Sequence, residues 1–343
     1  MADERNRVLM VSPFKHSQRG NSITCLRLKT GLEKRGFVID LVSLEDSNAL
    51  LQIHKMLAEN NYSLIHAFHA RHWGKMLEEM SSLQDLPILL TATGTDLHFD
   101  LQRNDPLVKK GLFSAQNIVL FHQDFKDLIC VPYPLLGPRL RVIPQGIYLQ
   151  NVSRETFLPL DFNQDDFVFY FPSGLRPVKN FELILNALQM IKPEYPQLKL
   201  LIIGAIIDYQ YGKRILEQIK SLPWITYAGE IPHTAVKSVI QNCHAVINSS
   251  HFEGQPQGAL EAMSMGLPCI LTAVPGNLNI IENRQEGFYV HNEQELAEAA
   301  GFFMDSPQIT KNMGQAAREL VEKNFSLGKE LDDYENLYRQ LIK

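Results

Sequence analysis

Short runs of uninterrupted apolar residues, each followed by a polar loop and then an amphipathic segment, recur along most of this chain and constrain its fold more than any other feature. RVLMVSP (7–13) is the first run and KHSQRGNS (15–22) its loop; ITCLRLKTGLEKRG (23–36) then carries apolar residues at helical spacing up to a stopping Gly36. FVIDLVSL (37–44) reads as the next strand. The order continues through a helix at 48–60, strand SLIHAF (63–68), a helix at 73–82, strand PILLTAT (87–93), a helix at 106–113, and strands NIVLF (117–121) and RVIPQG (141–146). Strands apolar throughout, alternating with amphipathic helices, form a parallel sheet covered on both faces.

The polar interval YLQNVSRETFLPLDFNQDD (148–166) interrupts this alternation, which then begins again. FVFYFPSG, LKLLIIG, ITYAGEI, HAVINSS, PCILTAV and GFYV read as strands, with helices at 180–192, 210–221, 233–242, 257–265 and from 293 onward. The expectation is an α/β chain of two Rossmann-like domains, 1–150 and 151–325, facing a central cleft with their loops at the carboxyl ends of the strands. A length of 343 residues suits two such domains. The last segment, KELDDYENLYRQLIK (329–343), reads as a terminal helix that either closes the second domain or packs back on the first.

Composition removes several classes of function. Apolar residues at 45% and charged residues at 21% are globular values. A net charge of −5 without a Lys/Arg cluster argues against nucleic acid as partner. Cys25, Cys130, Cys243 and Cys269 lack metal or disulfide spacing and read as reduced core residues. MADERNR is too charged to begin a secretory signal, and LLIIGAII, broken by Gly204, is too short to span a membrane. A cytoplasmic protein is expected, with peripheral membrane contact left open. LICVPYPLLGP (128–138) is expected to pack in the core rather than cover a lipid acceptor.

Two loops carry the chemistry. SGLRPVKN (173–180) follows a strand and precedes a helix; Gly174 permits a sharp turn, Arg176 and Lys179 extend from it, and the helix N-terminus presents N–H groups. A forked guanidinium beside a point-charge ammonium suits a diphosphate. The second is HFEGQPQGALEAMSMG (251–266), which puts Glu253 before a helix and Glu261 on it. Paired carboxylates suggest hydrolase acid/base chemistry, but the loop-then-helix placement separates their tasks. Gly254 and Gly258 allow backbone amides near a ligand. Glu261, on a helix of small and apolar residues, needs polar partners, for which ribose hydroxyls are suited.

GEIPHTAVKSVIQNCHAVINSSHFEGQPQGALEAMSMGLPCILT resembles the nucleotide-binding half of the family four retaining glycosyltransferases, with Glu, seven residues and Glu at 253 and 261. SGLRPVKN resembles that family's Gly-Arg-Leu…Lys loop, and RVIPQGI its Val-Ile-Pro-Asn-Gly-Val segment. The resemblance implies a GT-B architecture, a nucleotide-diphosphate sugar as co-substrate, an acceptor it does not identify, and neither metal nor cofactor. Arg176 and Lys179 would bind the departing diphosphate, Glu253 would touch the transferred sugar, and Glu261 the ribose. Backbone around Gly254, Gln255, Gln257, Gly258 and Ala259 would hold sugar hydroxyls or phosphate, and Glu230 and Ile231 the base. Retention would follow from attack on the leaving-group face, the phosphate taking the acceptor proton.

In the first domain the resemblance implies a histidine on the donor sugar. The family shows His-x-His here; this chain has His66 and then His69, with His72 beyond. His69 is assigned, with His72 or a merely structural cluster as alternatives. Asp96 of TATGTD is assigned either to the acceptor side or to bracing its loop. Gly20 and Asn21 are candidates in the first loop, facing the diphosphate. A sugar-nucleotide epimerase or phosphorylase on the same scaffold, and a non-catalytic nucleotide-sugar-binding protein, are the competing functions.

Overall fold

A computed structural model describes residues 6–14, 20–149 and 162–342. The expected boundary at 150/151 lies outside the described residues. The chain forms two compact units, Met1–Gly146 with Leu327–Lys343, and Ile147–Ser326. Each holds one six-stranded sheet in which every strand pair is parallel.

The first unit runs β1 (Arg7–Ser12), α1 (Gly20–Glu33), β2 (Val38–Ser43), α2 (Ala49–Glu59), β3 (Leu64–Phe68), α3 (Ala70–Glu79), β4 (Ile88–Thr91), α4 (Pro106–Ser114), β5 (Asn117–Leu120), α5 (Phe125–Cys130) and β6 (Leu140–Val142). The second runs β7 (Phe167–Pro172), α6 (Phe181–Ile191), β8 (Leu198–Ile203), α7 (Tyr209–Ile219), β9 (Ile225–Tyr227), α8 (His233–Ile240), β10 (Ala245–Asn248), α9 (Gln257–Ser264), β11 (Cys269–Thr272), β12 (Gly287–Val290), α10 (Glu293–Asp305) and α11 (Pro307–Asn324). Helix α12 (Leu327–Leu341) returns to the first unit.

Strand order is β2-β1-β3-β4-β5-β6 in one sheet and β12-β11-β10-β7-β8-β9 in the other. Both orders reverse direction once, between β1 and β3 and between β7 and β10. Chains diverging from such a point leave a crevice at the carboxyl ends of the two strands, where ligands of open α/β sheets bind. SGLRPVKN exits β7 and HFEG exits β10, so the topology alone brings the two predicted loops together.

Helix α12 is fixed by contacts that its own sequence does not announce. Leu331, Tyr334, Leu337 and Tyr338 are buried in the cluster containing Leu28 and Leu32 of α1. Arg27 forms a bidentate pair with Glu330 at 2.7 and 3.0 Å, both side chains almost wholly out of solvent. Tyr338 hydroxyl lies 2.7 Å from Nδ1 of His66, whose Nε2 lies 2.8 Å from Thr91 Oγ1, itself 3.1 Å from the Tyr334 hydroxyl. Every polar atom of this network has a partner, so its burial is compensated. Gly31 admits the Leu331 side chain, which a Cβ would meet at 2.5 Å.

Two local expectations change. Helix α3 begins at Ala70 rather than 73, because His69 takes φ 67° and turns the chain directly from strand into helix. Within LICVPYPLLGP, Ile129 and Leu136 enter the core, but Val131 and Leu135 are 79% and 82% exposed; a short helix followed by a proline-bounded 3₁₀ turn buries only one side. All four cysteines are free, as thiols: Cys25, Cys243 and Cys269 are buried and Cys130 half-buried. Burial pushes the Cys25 and Cys243 thiols up to about 12. No helix of the described residues is long and apolar enough to cross a membrane.

Candidate active site

At the β7/β10 crevice the two exit loops are stitched together. His251 N–H donates to the Val178 carbonyl at 2.9 Å and Ser249 Oγ to the Lys179 carbonyl at 2.7 Å. Gly174 is not in a left-handed turn; a Cβ there would press on the Ile207 side chain at 2.5 Å, so close approach favours glycine. The left-handed residue is Asn180, at φ 47°, which ends the loop and starts α6. The N-terminus of α6 is not the open anion site that the sequence suggested. Phe181 N–H is taken by the Tyr211 hydroxyl at 3.0 Å, Leu183 N–H by the Asn180 carbonyl, and Glu182 already places a carboxylate in the first turn. The positive charge of this loop is carried by the side chains of half-buried Arg176 and Lys179.

Lys179 Nζ lies 2.5 Å from Oε1 of Glu253, a side chain 9% exposed. The same oxygen accepts from Ser250 Oγ at 2.6 Å and from Asn248 Nδ2 at 2.9 Å. Burial works against the Glu253 carboxylate, but the charge of Lys179 and the hydrogen bonds from Lys179, Ser250 and Asn248 outweigh it and hold its pKa below the usual range. Its Oε2 accepts no hydrogen bond among the described residues. One oxygen is thus saturated and the other open. Asn277, from the loop after β11, supports Asn248 through Nδ2–Oδ1 at 3.1 Å, and its own buried Oδ1 has no partner. Gly276, at φ 86°, lies so close to the Glu253 carbonyl that a Cβ would meet it at 1.9 Å.

Glu261 sits in the second turn of α9, side chain 15% exposed, with Oε1 3.2 Å from His233 Nε2. Because a carboxylate only accepts, that ring nitrogen carries the proton. Ala259 and Leu260 on the same helix are core, which explains why only the 261 position turns to a polar neighbour. Gly258 lets the start of α9 pack on the end of β7, where a Cβ would press on Pro172 at 2.8 Å. Gln255 is buried and donates to Gln257 at 3.2 Å. Gly254 stands half-buried in the same loop. Glu230 is exposed and Ile231 buried, in the loop that follows Gly229 at φ 73°.

In the first unit, the β1/β3 crevice receives His69. Its backbone is left-handed at φ 67°, an uncommon conformation for a residue with a Cβ. The residue is 6% exposed; Nε2 lies 3.3 Å from Thr95 Oγ1, whereas buried Nδ1 has no partner, nor has the buried Thr93 Oγ1. His72 stacks edge-on at 4.6 Å and is pushed down to about 4 by burial and by neighbouring His69 and Arg71. His66 belongs to the buried network above. Asp96 is fully buried, accepting from Ala70 N–H at 2.7 Å and Thr93 N–H at 3.0 Å, so it braces the α3 start and lines no surface. Gly20 and Asn21 lie in the first turn of α1 rather than in a loop; residues 15–19, the rest of that loop, are outside the described residues.

Sequence reasoning missed Asn248, Ser250, Asn277 and His233. Asn248 and Ser250 had a signal, since HAVINSS turns polar at its end just before Glu253. His233 had none, as its partner is 28 positions away.

Residues 153–320 match the family described as Glycosyl transferases group 1. Over 334 residues, 94% of each chain, the protein is 25% identical to Glycosyltransferase 1 domain-containing protein 1 of Xenopus tropicalis. Among solved structures, sucrose-phosphate synthase from Thermosynechococcus elongatus superposes with a TM-score of 0.81 at 18% identity, covering 98% of this chain and 99% of that one. Anabaena HepE in complex with UDP-glucose gives 0.78 at 17% identity, covering 97% and 99%. Two parallel six-stranded sheets of this kind define a GT-B glycosyltransferase fold. The chain is a group 1 glycosyltransferase, a sugar-transferring enzyme.

Proposed function

We propose that this enzyme moves a sugar, with retention and without metal, from a nucleoside diphosphate to an acceptor hydroxyl. The observation that carries the reading is the Lys179–Glu253 pair at the β7/β10 crevice, 2.5 Å apart, with Glu261 one helix turn or more beyond. Lys179 at rest is neutralised by Glu253. A bound diphosphate competes for the ammonium and, with Arg176, draws it onto the β-phosphate. Glu253, still held by Ser250 and Asn248, then turns its acceptor capacity to sugar hydroxyls. As the glycosidic bond breaks, negative charge grows on the diphosphate, and two preorganised cations stabilise it more than they stabilise the ground state. The leaving oxygen takes the acceptor proton, so no carboxylate need serve as nucleophile.

Glu261 accepts from the ribose, and the Glu230–Ile231 backbone faces the base. In the first unit, unpartnered Nδ1 favours His69 over His72 for a sugar hydroxyl. The solved HepE neighbour holds UDP-glucose, which makes UDP the first nucleotide to test. A thermal-shift panel of UDP, GDP, ADP and their sugars checks the reading: one nucleotide should raise the unfolding midpoint by mass action. No shift with any of them at millimolar concentration would refute it.

A further inference from the structure

Helix α8 begins directly after the loop assigned to the base, and its first residue is His233. Helices α8 and α9 share one apolar cluster, in which Ala235, Val236 and Val239 pack with Ala259, Leu260 and Met263. That packing fixes the separation of the two backbones and sets His233 opposite Glu261. The ring and the carboxylate are 20% and 15% exposed, so the contact is largely shielded without being sealed. Among the described residues, Oε1 of Glu261 accepts from His233 alone and Oε2 accepts no hydrogen bond. Beneath the helix, Tyr170 of β7 feels the same carboxylate: burial, then the charge of Glu261, raises its phenol well above its ordinary value. Glu261 is therefore a charged acceptor with one fixed and one open oxygen.

We infer that His233 is a positioning residue for ribose recognition: by donating Nε2–H to Oε1 it pins the Glu261 carboxylate so that Oε2 meets the ribose hydroxyls. This rests on the reading of Glu261 as the ribose acceptor and adds the residue that makes it selective. A pinned carboxylate loses little rotational freedom on binding and rewards a ligand that supplies hydroxyls; an unpinned one must be ordered each time. The class of ligand selected is a ribonucleoside, rather than a dideoxyribonucleoside, diphosphate.

The test is calorimetric binding of UDP and 2′,3′-dideoxy-UDP to the full chain and to H233A, H233M and H233Q. GDP and ADP, with their dideoxy forms, serve if the thermal panel selects them. H233M keeps bulk without a donor, and H233Q keeps an N–H of similar reach. The expected result is that H233A and H233M weaken UDP about 10-fold, as for loss of a hydrogen bond to a charged group, while dideoxy-UDP affinity stays the same. H233Q should recover most of the lost discrimination. Equal weakening of both ligands, or of neither, overturns the assignment and leaves nucleotide binding standing. Failure of all three diphosphates to bind the unaltered protein removes the assignment together with the function it rests on.

Discussion

The two units are both doubly wound parallel sheets, with different strand orders, and each buries a polar centre of its own kind. In the first, His66, Thr91, Tyr334 and Tyr338 form a neutral network in which each polar atom has a partner, with the Arg27–Glu330 pair beside it. In the second, Lys179 and Glu253 form a charged pair that leaves one carboxylate oxygen open at the strand crossover. A saturated centre holds a fold together, because opening it exposes groups with nowhere to go. A centre with one open acceptor and a displaceable cation is suited to a ligand. The difference separates a structural site from a chemical one without reference to motif.

The largest expected effect falls on the second centre. K179A or R176A should lower turnover on the order of 10²-fold or more, as removal of other preorganised electrostatic stabilisers does. Near-normal turnover in both variants would break the assignment.

Next comes the saturated centre. R27A strands the buried Glu330 carboxylate and should destabilise the protein by about 3–5 kcal/mol in denaturant unfolding. Nucleotide binding should survive in the protein that remains folded. If R27A abolished UDP binding at temperatures where it is folded, the separation of roles would fail.

Acid titration sharpens the contrast. Burial pushes His66 down to about 3, so between there and the ordinary histidine value near 6.5 the unfolded chain binds a proton that the folded chain refuses. Stability should fall as pH drops below about 6.5, by about 1.4 kcal/mol per unit for this residue, and level off below its folded value. His72 of the same unit and His244 of the second, both lowered by burial, act in the same direction. Glu253 acts in the same direction at lower pH: its lowered pKa stabilises the fold above the ordinary carboxylate range near 4.3, and this is lost progressively as pH falls from there through the folded value. H66Q should flatten the stability profile between pH 6 and 4, and an unchanged slope would contradict the network. The smallest expected effect is that of EDTA, which should leave turnover unchanged.

Much of the architecture was legible because strands buried on both faces are apolar throughout, and RVLMVS or FVFYFP admits few other readings. The two loops of the second unit were legible because Lys179, Glu253 and Glu261 are residue types that loop and helix positions do not require for folding. Their immediate partners were not. Lys179 meets Glu253 across 74 positions and His66 meets Tyr338 across 272, and no local pattern encodes such distances. The same limit explains the histidines: His66 and His69 look alike in SLIHAFHARHWG, and only α12 returning over β3 makes one a core residue. Gly258 was read as ligand-facing because a missing side chain says that something is near, not whether it is substrate or Pro172.

The central claim is that Glu253 is the resting counter-ion of the lysine that a diphosphate displaces. The most direct measurement is the Kd of UDP, or of the diphosphate the thermal panel selects, for the unaltered protein and for E253Q, alongside turnover of the corresponding sugar nucleotide. Freed of its counter-ion, Lys179 should bind the bare diphosphate as tightly as before or more tightly, while turnover falls because the sugar loses its acceptor. Loss of diphosphate binding in folded E253Q would contradict the account.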